Sequence, residues 1–393
     1  MQSIKNYDVN GNVLNSFVYS YDANKNITSV ETQDGTITYQ YDALNQLTQE
    51  TLTDGTTISY EYDSVGNRTT KTVDDGTSTT TTSYTYDDAN QLTDVDGQTY
   101  TYDANGNLTD NGEKTFIYNN NNRLIEVQDS GTTLSSFEYD RQGRRISKTT
   151  STETINYHYD GDSNQVLYET DANNNIVAEY TYDQQGQPVT MTKGGTTYYY
   201  HINGHGDVTA LTDESGNVVA EYQYDAWGNI LSQSGTMVTE NPYRYAGYRY
   251  DEETGLYYLM ARYYDSKIGR FITRDSFHGL TIDPLTINQY AYTTNNPVMY
   301  VDPTGHSKEG VNKVIWRWWG VELWLSQSTV SYIVGGGISA AATILGLIFP
   351  GVGTAFALLA HSILLTIIYD IKFAKPVVIG MHWNLTKRYA YYQ

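Results

Sequence analysis

The sequence predicts a mainly β fold that is built as a long array of repeats rather than around one enzyme-like core. A Tyr-Asp pair followed by a Gly-Asn turn recurs from Tyr7 to Tyr224, at intervals of mostly 14 to 24 residues. Most copies carry a second tyrosine two positions earlier, and Asp-Gly or Gly-Gly pairs lie between the copies. An interval of this length fits one supersecondary unit, so the chain is expected to stack such units.

Each repeat is expected to be a pair of β-strands joined by tight turns. Residues two apart share one face of a strand, so the paired tyrosines point the same way. The Asp can accept hydrogen bonds from the turn backbone, and the Gly supplies the positive φ that reverses the chain. The fullest copies run from Tyr102 to Leu108 and from Tyr224 to Ile230. Further hairpin turns are predicted at Asp34-Gly35, Asp54-Gly55, Asp75-Gly76, Asp96-Gly97 and Gly194-Gly195.

One hairpin cannot bury its apolar face alone, so successive units must join edge to edge into a spiral sheet. The chain has 39 tyrosines, and we expect them to layer along this sheet. Their hydroxyls can stay in water, since tyrosine buries a large ring while keeping a polar end. An aromatic surface that binds carbohydrate is an alternative interpretation, because the spacing does not distinguish sugar stacking from ring stacking.

Composition limits the classes of function open to residues 1–306. The formal net charge is −21, and the last 87 residues hold seven Lys or Arg and three Asp or Glu, which leaves about −25 for the rest. An acidic array argues against nucleic-acid binding, and its carboxylates are attributed to turns rather than to calcium loops. The chain has no cysteine, so its redox compartment is undetermined. No signal-like segment follows Met1, so we expect an N-terminal truncation or export with another component.

A second pattern replaces the repeats between residues 241 and 306. It includes Glu-Thr-Gly-Leu-Tyr-Tyr-Leu-Met-Ala-Arg-Tyr-Tyr-Asp (Glu253–Asp265), Ile-Gly-Arg-Phe-Ile-Thr-Arg-Asp (Ile268–Asp275) and a final Val-Asp-Pro-Thr-Gly-His. From Tyr243 to His306 the chain resembles, nearly continuously, the Rhs repeat-associated core domain of Rhs/YD-repeat proteins, a polymorphic toxin family. The Val-Asp-Pro-Thr-Gly-His ending is similar to the wall-associated, Gram-positive style of that family.

The resemblance implies a hollow β-shell, spiralled from the repeats and closed by the core domain, that encloses a variable C-terminal toxin. It divides the chain into a YD-repeat shell at 1–235, an Rhs core or autoprotease domain at 236–306, and a toxin domain at 307–393. It also implies that the core domain cuts its own chain just after the Asp-Pro-x-Gly-x motif. Here that cut falls between His306 and Ser307.

The family cuts with an aspartate pair similar to that of aspartic proteases, and the matching positions are Asp302 and Asp275. Such chemistry needs two carboxylates close enough to share a proton, so that one activates water while the other protonates the leaving group. Arg274-Asp275-Ser276 departs from the family's Asp-Pro pair, and Asp283 precedes a proline eight residues on. Asp283 therefore stays open as the second carboxylate. Asp275 is alternatively a turn residue paired with Arg274 or Arg270.

Arg262 and Arg270 are candidate supporting residues, either as structural partners of buried carboxylates or as groups that tune the aspartate pair. His201, His205 and Asp207 lie close enough in sequence to suggest a metal site. They resemble another repeat variant of the family that forms a turn, and no further ligand nearby completes a tetrahedral set. We therefore expect no metal and no cofactor.

The tail from residue 307 has a different chemistry, with 47 consecutive residues between Glu322 and Asp370 that carry no Asp, Glu, Lys or Arg. This run is long enough for two membrane crossings of about 20 residues each. It predicts a small α-helical domain in which apolar arms at 330–349 and 352–369 form a helical hairpin around Pro350. Tryptophans expected at the level of the lipid headgroups flank the hairpin, namely Trp316, Trp318, Trp319, Trp324 and Trp383.

These features predict a polymorphic toxin of interbacterial competition that is secreted or displayed at the cell surface. In this interpretation the shell encloses its own tail until self-cleavage releases a pore-forming toxin for the membrane of a target cell. The expected partners are that membrane, the enclosed tail and a cognate immunity protein, with no nucleic acid. Three alternatives stay open: a non-toxic adhesin with a membrane anchor, a tail that is a plug packed in the shell, and an enzymatic toxin tail.

Overall fold

A computed structural model describes residues 2–161, 163–276, 284–306, 313–317, 320–325, 377–382 and 388–392. The chain divides into two compact units, Met1–His306 and Ser307–Gln393. The first unit consists of strands joined by tight turns, as the repeat pattern predicts. In its two large sheets every strand pairs with its neighbours along the chain, and these pairings are antiparallel.

The first large sheet has ten strands and the second has fourteen. The first comprises β1 (Ser3–Tyr7), β2 (Val13–Tyr21), β3 (Ile27–Thr32), β4 (Gly35–Tyr41), β5 (Leu47–Thr51), β6 (Thr57–Tyr62), β7 (Arg68–Asp74), β8 (Thr79–Tyr86), β9 (Leu92–Val95) and β10 (Gln98–Thr99). The second comprises β11 (Thr101–Tyr102), β12 (Leu108–Asp110), β13 (Lys114–Tyr118), β14 (Leu124–Asp129), β15 (Thr132–Tyr139), β16 (Arg145–Thr149), β17 (Thr154–Tyr159), β18 (Val166–Thr170), β19 (Ile176–Tyr182), β20 (Pro188–Lys193), β21 (Thr196–Ile202), β22 (Val208–Thr212), β23 (Val218–Tyr224) and β24 (Ile230–Ser234).

The Tyr-Asp turn has the hydrogen bonds that its sequence predicts. In the copy at Tyr102, Asp103 Oδ1 accepts the backbone N–H groups of Asn105 and Asn107, each at 2.9 Å. The Asn107 side chain donates to Asp103 Oδ2 at 2.8 Å, and Gly106 has a φ of 85°. These bonds satisfy the turn backbone from within the repeat, so one short motif can be copied along the whole array.

The second tyrosine of the repeat bonds the repeat before it. Tyr41 donates its hydroxyl proton to the carbonyl of Ile27, the first residue of β3, at 2.7 Å. The same bond to the first residue of an earlier strand is made by Tyr62, Tyr86, Tyr139, Tyr159, Tyr182 and Tyr224. These seven hydroxyls therefore have partners within the sheet, whereas the sequence only allows that a tyrosine hydroxyl can stay in water. The Ile27 carbonyl is part-buried and needs a hydrogen-bond donor. The Tyr41 hydroxyl supplies that donor beside the β-bulge at which the register between β2 and β3 shifts.

The sheet winds back over its own start, which confirms the predicted spiral. Asn6 Nδ2 donates to the Ile202 carbonyl at 2.9 Å, and Asn15 Nδ2 donates to Thr209 Oγ1 at 3.0 Å. The backbone N–H of Gly204 donates to the Tyr19 hydroxyl at 2.7 Å. Partners in these bonds lie 185 to 196 residues apart in the chain, so one turn of the spiral takes about that length.

The described residues of the segment 235–306, namely 235–276 and 284–306, share buried clusters with side chains of the repeats. They form a four-stranded sheet of β25 (Arg249–Asp251), β26 (Leu256–Leu259), β27 (Arg262–Asp265) and β28 (Arg270–Phe271), with 3-10 helices at Tyr245–Gly247, Pro284–Ile287 and Thr293–Asn295. Tyr264 and Tyr292 join Leu47, Tyr60 and Trp227 of the repeats in one buried cluster. The tyrosine-rich segment thus supplies side chains that bury the apolar face of the repeats.

Three asparagines of this segment bond the turns of three successive repeats. Asn296 Nδ2 donates to Asn26 Oδ1 at 3.1 Å, Asn295 Nδ2 to Gln46 Oε1 at 2.9 Å, and Asn288 Nδ2 to Asn67 Oδ1 at 2.7 Å. The acceptors follow the turn aspartates at the same interval of four residues. Each buried amide finds its partner in a repeated position, which fixes the register between the segment and the array.

Among its described residues, the second unit contains one four-stranded antiparallel sheet. Its strands are β29 (Lys313–Arg317), β30 (Gly320–Leu325), β31 (Val377–His382) and β32 (Arg388–Tyr392). Trp316 and Trp324 lie in the first two strands. The predicted helical arms at 330–349 and 352–369, with Pro350, Trp318, Trp319 and Trp383, lie outside the described residues. None of the helices that the structure describes is long and apolar enough to span a membrane.

A buried carboxylate lies where the two ends of the spiral meet. Glu50, on β5, is 1% exposed. Its Oε1 accepts the Tyr60 hydroxyl at 2.7 Å and its Oε2 accepts the Ala226 backbone N–H at 2.8 Å. Burial, reinforced by the Asp225 carboxylate, raises the pKa of Glu50 to about 8, although Lys71 lies 3.4 Å from Asp225. Burial therefore favours the protonated form of Glu50 in the folded chain.

Replacing Glu50 with glutamine is expected to remove a loss of stability that develops as the pH rises from about 5 to about 8. Because the folded pKa is above the unfolded value of about 4.3, the contribution of protonated Glu50 is fully present below that value. It is lost as the pH rises through about 8. Urea unfolding should show Glu50→Gln gaining a few kcal/mol over the wild type between about pH 5 and pH 9. Exposed Glu61, on β6, provides the control Glu61→Gln, whose difference from wild type should stay flat.

Candidate functional site

One guanidinium lies between the two aspartates that the sequence singles out. Arg262, at the start of β27, places Nη2 2.7 Å from Asp275 Oδ2 and 3.5 Å from Asp302 Oδ2. The three side chains are 5%, 8% and 2% exposed. The structure therefore brings Arg262, Asp275 and Asp302 together in a buried cluster, although 40 residues separate Arg262 from Asp302 in the chain.

Arg262 contacts three further groups of the core segment, which is the part of the chain from residue 235 to residue 306. Its guanidinium carbon lies 3.5 Å from the centre of the Phe271 ring. Its Nη1 donates to the Gln289 carbonyl at 3.0 Å, and its Nε donates to the Gly305 carbonyl. Burial lowers the pKa of Arg262, and the two carboxylates oppose that shift. An arginine in this position stays charged at neutral pH, so the cluster contains one fixed positive charge.

Asp302 closes a turn of the same kind as the aspartates of the repeats. Its Oδ1 accepts the backbone N–H of His306 at 3.1 Å and the hydroxyl of Thr304 at 3.4 Å. Its own backbone N–H donates to the Tyr248 hydroxyl at 2.6 Å. Gly305 has a φ of 72° in this turn. The Asp-Pro-Thr-Gly-His motif thus folds back on its aspartate and presents His306 beside it.

Asp275 is fixed by its backbone and faces the same histidine. Its N–H donates to the Gln289 carbonyl at 3.0 Å, and Gln289 Nε2 donates to the Asp275 carbonyl at 2.6 Å. The carboxylate Oδ1 lies 3.3 Å from Nδ1 of His306. His306 therefore contacts Asp302 through its backbone and Asp275 through its ring.

The structure separates Arg270 from this cluster. Its guanidinium stacks on the rings of Tyr86 and Tyr290, with distances of 4.8 and 5.0 Å to the ring centres. Its Nη2 donates to the Asn90 carbonyl at 2.5 Å. Asp275 pairs with Arg262, which corrects the alternative of a turn pair with Arg270. Asp283, the other candidate for the second carboxylate, lies outside the described residues.

The histidines that suggested a metal site have partners within the fold. His205 Nδ1 lies 2.8 Å from Asp207 Oδ1, which also accepts the Ala246 N–H at 2.8 Å. His201 Nε2 lies 2.9 Å from Thr212 Oγ1. The charge of Asp207 raises the pKa of His205 against the opposing effect of burial. This pair links a repeat turn to the core segment.

A cleft leads from the repeat turns to the aspartate cluster. It has a volume of about 330 Å³, and its lining includes Arg262, Thr304 and His306 from the core segment and Arg123 and Arg144 from the repeats. A cavity of this size holds several water molecules. Water in the cleft can therefore reach Arg262 and His306, which contact the two carboxylates.

Sequence reasoning missed three residues that shape this site: Tyr248, Gln289 and Thr304. Tyr248 and Gln289 each bond an aspartate backbone, and Thr304 bonds the Asp302 carboxylate. All three lie within the motif stretches that resemble the Rhs core domain. No local pattern marks their roles, because each role depends on a partner at least 14 residues away or on the turn itself.

Comparisons with known proteins agree with this architecture. Residues 2–298 match the family model described as teneurin YD-shell. The chain is 48% identical over 269 residues to the tRNA3(Ser)-specific nuclease WapA of Bacillus spizizenii. It is 46% identical over 269 residues to the tRNA(Glu)-specific nuclease WapA of Bacillus subtilis subsp. natto. Each match covers 68% of this chain and 12% of the relative, so the chain spans a small part of their length.

A shorter match and two solved structures extend the comparison. The chain is 45% identical over 64 residues to the toxin protein Tse5 of Pseudomonas aeruginosa, covering 16% of this chain and 5% of the relative. The TcdB2-TccC3-Cdc42 crystal structure is similar with a TM-score of 0.64 at 23% identity, over 77% of this chain and 18% of that one. The Photorhabdus luminescens Tc holotoxin pore gives 0.63 at 20% identity, over 79% and 18%. At such identities the structural likeness shows the fold alone, and the family match carries the conclusion. The chain belongs to the teneurin YD-shell family, and its shell is of the YD/Rhs type.

Proposed function

We propose that the core segment hydrolyses its own chain between His306 and Ser307 and so frees residues 307–393. The observation that carries the proposal is the contact of His306 with both carboxylates, at 3.1 Å to Asp302 and 3.3 Å to Asp275. His306 is the residue before the proposed scissile bond, so the contact brings both carboxylates to the residue whose carbonyl is attacked. Two carboxylates at one peptide can divide the roles of general base and general acid.

Arg262 has a positioning role in this proposal. Its contacts of 2.7 and 3.5 Å hold the two carboxylates at a fixed separation, and its bond to the Gly305 carbonyl ties the same group to the residue before His306. One carboxylate takes a proton from water, and the water oxygen attacks the His306 carbonyl carbon. The bond to the Ser307 nitrogen then breaks as that nitrogen gains a proton. Preorganised charge of this kind is a large source of rate acceleration.

Intact-mass analysis of the purified chain tests the cleavage. The wild type is expected to separate into a fragment ending at His306 and a fragment of 87 residues. Asp302→Asn and Asp275→Asn should each leave the chain whole, since a lost acid or base costs about 10²–10⁴ in rate. Asp265→Asn is the matched control, because Asp265 is buried in the same segment and burial raises its pKa, so a neutral amide suits the position. An uncut wild type, or cleavage that survives in both Asp302→Asn and Asp275→Asn, contradicts the proposal.

The released unit is proposed to be the toxin, and the shell to be its container. Residues 323–369 carry no formally charged Asp, Glu, Lys or Arg side chain, and an exposed segment of that kind aggregates or inserts into the nearest membrane. A shell that hides it until delivery protects the producing cell, and a cognate immunity protein completes that protection. We propose that the freed unit inserts into the membrane of a competing cell after secretion or surface display.

The second candidate is a nuclease tail. The observation that favours it is the description of the two Bacillus relatives as tRNA nucleases. Those matches cover 269 residues, whereas residues 1–306 alone exceed that length. The aligned 269 residues are too few to span both units, so the activity of the tail has to be measured separately.

Controlled expression of residues 307–393 in bacteria distinguishes the candidates. Growth arrest with rapid loss of membrane potential supports insertion. Growth arrest with intact potential and cut tRNA on a denaturing gel supports the nuclease. Membrane localisation without growth arrest supports a non-toxic anchor, and harmless soluble protein supports a structural plug. The full chain bearing Asp302→Asn is the control, because it contains the same residues in uncut form.

A further inference from the structure

A glutamate, a lysine and an aspartate from distant parts of the chain meet inside the shell. Glu50 on β5 lies opposite Ile58 on β6. Tyr60, on the same face of β6 as Ile58, lies opposite Lys71 on β7. Asp225 follows β23 and packs on this row, with its Oδ2 3.4 Å from Lys71 Nζ. The contact therefore joins two residues that are 154 positions apart in the chain.

The contact between Lys71 and Asp225 is shielded from water. Their side chains are 17% and 1% exposed. Tyr60, opposite Lys71, and Trp227, two residues after Asp225, belong to one hydrophobic cluster. Because burial penalises charged groups, it favours transfer of a proton from the ammonium group to the carboxylate. That transfer leaves an amine beside a carboxylic acid.

The turn that carries Asp225 is fixed from both sides. Its carboxylate Oδ1 accepts the backbone N–H groups of Trp227 and Asn229, each at 2.9 Å. Hydroxyl groups of the core segment donate to three successive carbonyls of the turn at 2.8 to 2.9 Å: Tyr245 to Ala226, Tyr264 to Trp227 and Tyr257 to Gly228. Two N–H donors at one oxygen stabilise the oxyanion that forms when a nucleophile attacks the carboxyl carbon. The other oxygen, Oδ2, faces the lysine.

Glu50 is a group that can carry a proton beside this pair. Its Oε2 accepts the backbone N–H of Ala226, the residue next to Asp225, at 2.8 Å, and its Oε1 accepts the Tyr60 hydroxyl at 2.7 Å. Burial and the Asp225 carboxylate raise the pKa of Glu50 to about 8, against the opposing charge of Lys71. A protonated carboxyl group can donate to a leaving oxygen and then accept a proton from the attacking amine.

We propose that Lys71 and Asp225 condense to an amide cross-link, with Glu50 transferring the protons, and that this bond closes the seam between β1–β7 and residues 202–226. The inference concerns the shell and does not depend on the proposed self-cleavage. Other contacts across the seam, such as that of Asn6 with the Ile202 carbonyl, are single hydrogen bonds. A covalent bond at this place keeps the spiral from unwinding when those hydrogen bonds open.

The step balances in atoms and protons. The Lys71 amine attacks Cγ of Asp225, and a bond forms between Nζ and Cγ. The bond between Cγ and Oδ2 breaks, and Oδ2 leaves as water with a proton from Glu50. The new amide nitrogen gives its surplus proton to Glu50, which returns to its starting form. One ammonium and one carboxylate thus become one amide and one water, so the reaction needs no oxidant, reductant or co-reactant.

Intact mass of the purified full-length chain tests the condensation, because loss of one water lowers the mass by about 18 Da. The wild type is expected to show this loss. Tandem mass spectrometry of a tryptic digest should find residues 69–114 joined to residues 194–244, with the chain uncut at Lys71. This digest uses the wild type alone, so it decides the matter even if a variant does not fold. If the chain also cuts itself after His306, the fragment that ends there carries the same loss.

Two lysine variants identify the source of the lost water. Lys71→Arg keeps a positive charge beside Asp225 but has no amine, so it should show the full mass. An Asp-Gly pair such as Asp75-Gly76 can also lose water by closing a ring on its own backbone, but that loss does not need Lys71. Lys148→Met is the matched control and should keep the mass loss. Lys148 also lies near a buried carboxylate, at 3.7 Å from Asp251, but that carboxylate is already bonded twice by an arginine.

Glu50→Gln tests the proton transfer. A lost acid or base costs about 10²–10⁴ in rate, so this variant should be purified mostly at the full mass, with its strands confirmed by circular dichroism. Loss of the bond lowers its unfolding free energy by the same amount at every pH. The change that comes from Glu50 ionisation varies with pH and is therefore measured separately.

The possible results divide clearly. A folded wild type with the full mass and no joined peptide overturns the proposal. A mass loss that persists in Lys71→Arg overturns it as well, because the water then comes from another site. A Glu50→Gln chain that condenses as fast as the wild type overturns the part of the proposal that assigns proton transfer to Glu50. A joined peptide in the wild type, with the full mass in Lys71→Arg and Glu50→Gln, supports it.

Discussion

Replacing Arg145 with methionine is expected to destabilise the shell by about 3–5 kcal/mol at neutral pH. Arg145 is 1% exposed, and its guanidinium makes two bonds to the buried Asp251, at 2.5 and 3.1 Å. It also lies over the rings of Phe137, Tyr157, Tyr258 and Tyr263. Methionine fills part of the volume but leaves the Asp251 carboxylate buried without its principal counter-charge.

The pH dependence of this loss follows from Asp251. Burial raises the pKa of Asp251, but Arg145 and Lys148 together lower it below its ordinary value. A lowered folded pKa gives stability that is present above the unfolded pKa of about 3.9 and is lost as the pH falls through the folded value. The effect of Arg145→Met should therefore be largest near neutral pH and should shrink as Asp251 takes up a proton in acid.

Urea unfolding of the full-length chain, followed by circular dichroism, measures this loss. Adding Asp251→Asn to Arg145→Met should recover most of the stability, since a neutral pair carries no stranded charge. Lys148→Met is the control, because Lys148 lies 3.7 Å from Asp251 and is more exposed. It should cost about 1 kcal/mol or less. Equal losses in Arg145→Met and Lys148→Met would falsify the assignment of Arg145 as the principal partner.

The repeat fold was predictable because the hydrogen bonds of each turn form between residues that are close in sequence. The Tyr-Asp-x-x-Gly-Asn turn forms within six residues, and the partners of the Asp103 carboxylate lie within four residues of it. The local preference of such a turn agrees with the final fold, so the turn can be read from the sequence alone. The bond from Tyr41 to Ile27 was not predictable in the same way, because it joins two repeats and depends on the bulge between them.

The contacts between the core segment and the repeats could not be predicted from local sequence patterns. Asn288, Asn295 and Asn296 are ordinary turn-forming residues in the sequence, and their bonding to turn residues 221 to 270 positions earlier appears only in three dimensions. Glu50 and Asp225 are a similar case. One stands in a strand and one in a turn, and closure of the spiral brings them together.

The aspartate pair was predicted from the motif resemblance. That Arg262 is the cation that contacts both aspartates was learned from the structure. Asp302 and Asp275 were singled out as a pair, whereas Arg262 was one of two arginines with equal claims. Packing decided between them, since Arg262 lies on the Phe271 ring beside Asp275, and Arg270 lies between Tyr86 and Tyr290. The ring contact of His306 was not predicted, because it depends on how the last turn folds back.

Replacing Gly305 with alanine is expected to slow the proposed self-cleavage by about 100-fold or more, because displacement of reacting groups by about 1 Å costs that much. Gly305 has a φ of 72°. A Cβ on it would lie 2.3 Å from the Leu259 carbonyl oxygen and 3.0 Å from the Arg262 backbone nitrogen. Both neighbours are backbone atoms, so the turn itself must move, and it carries Asp302 and His306 with it.

Gly255→Ala separates this clash from the cost of the backbone conformation. Gly255 has a φ of 73°, and a Cβ there would meet its nearest atom, the Tyr250 hydroxyl oxygen, at 3.8 Å. Both substitutions therefore carry the penalty of about 1 kcal/mol for a left-handed alanine. Only the one at Gly305 pushes on the turn beside the carboxylates. Refolding followed by intact mass should show Gly255→Ala cut at the wild-type rate and Gly305→Ala whole. If both chains are cut equally fast, the close approach of Gly305 to Leu259 does not align the site, and the contacts of Arg262 alone must hold it.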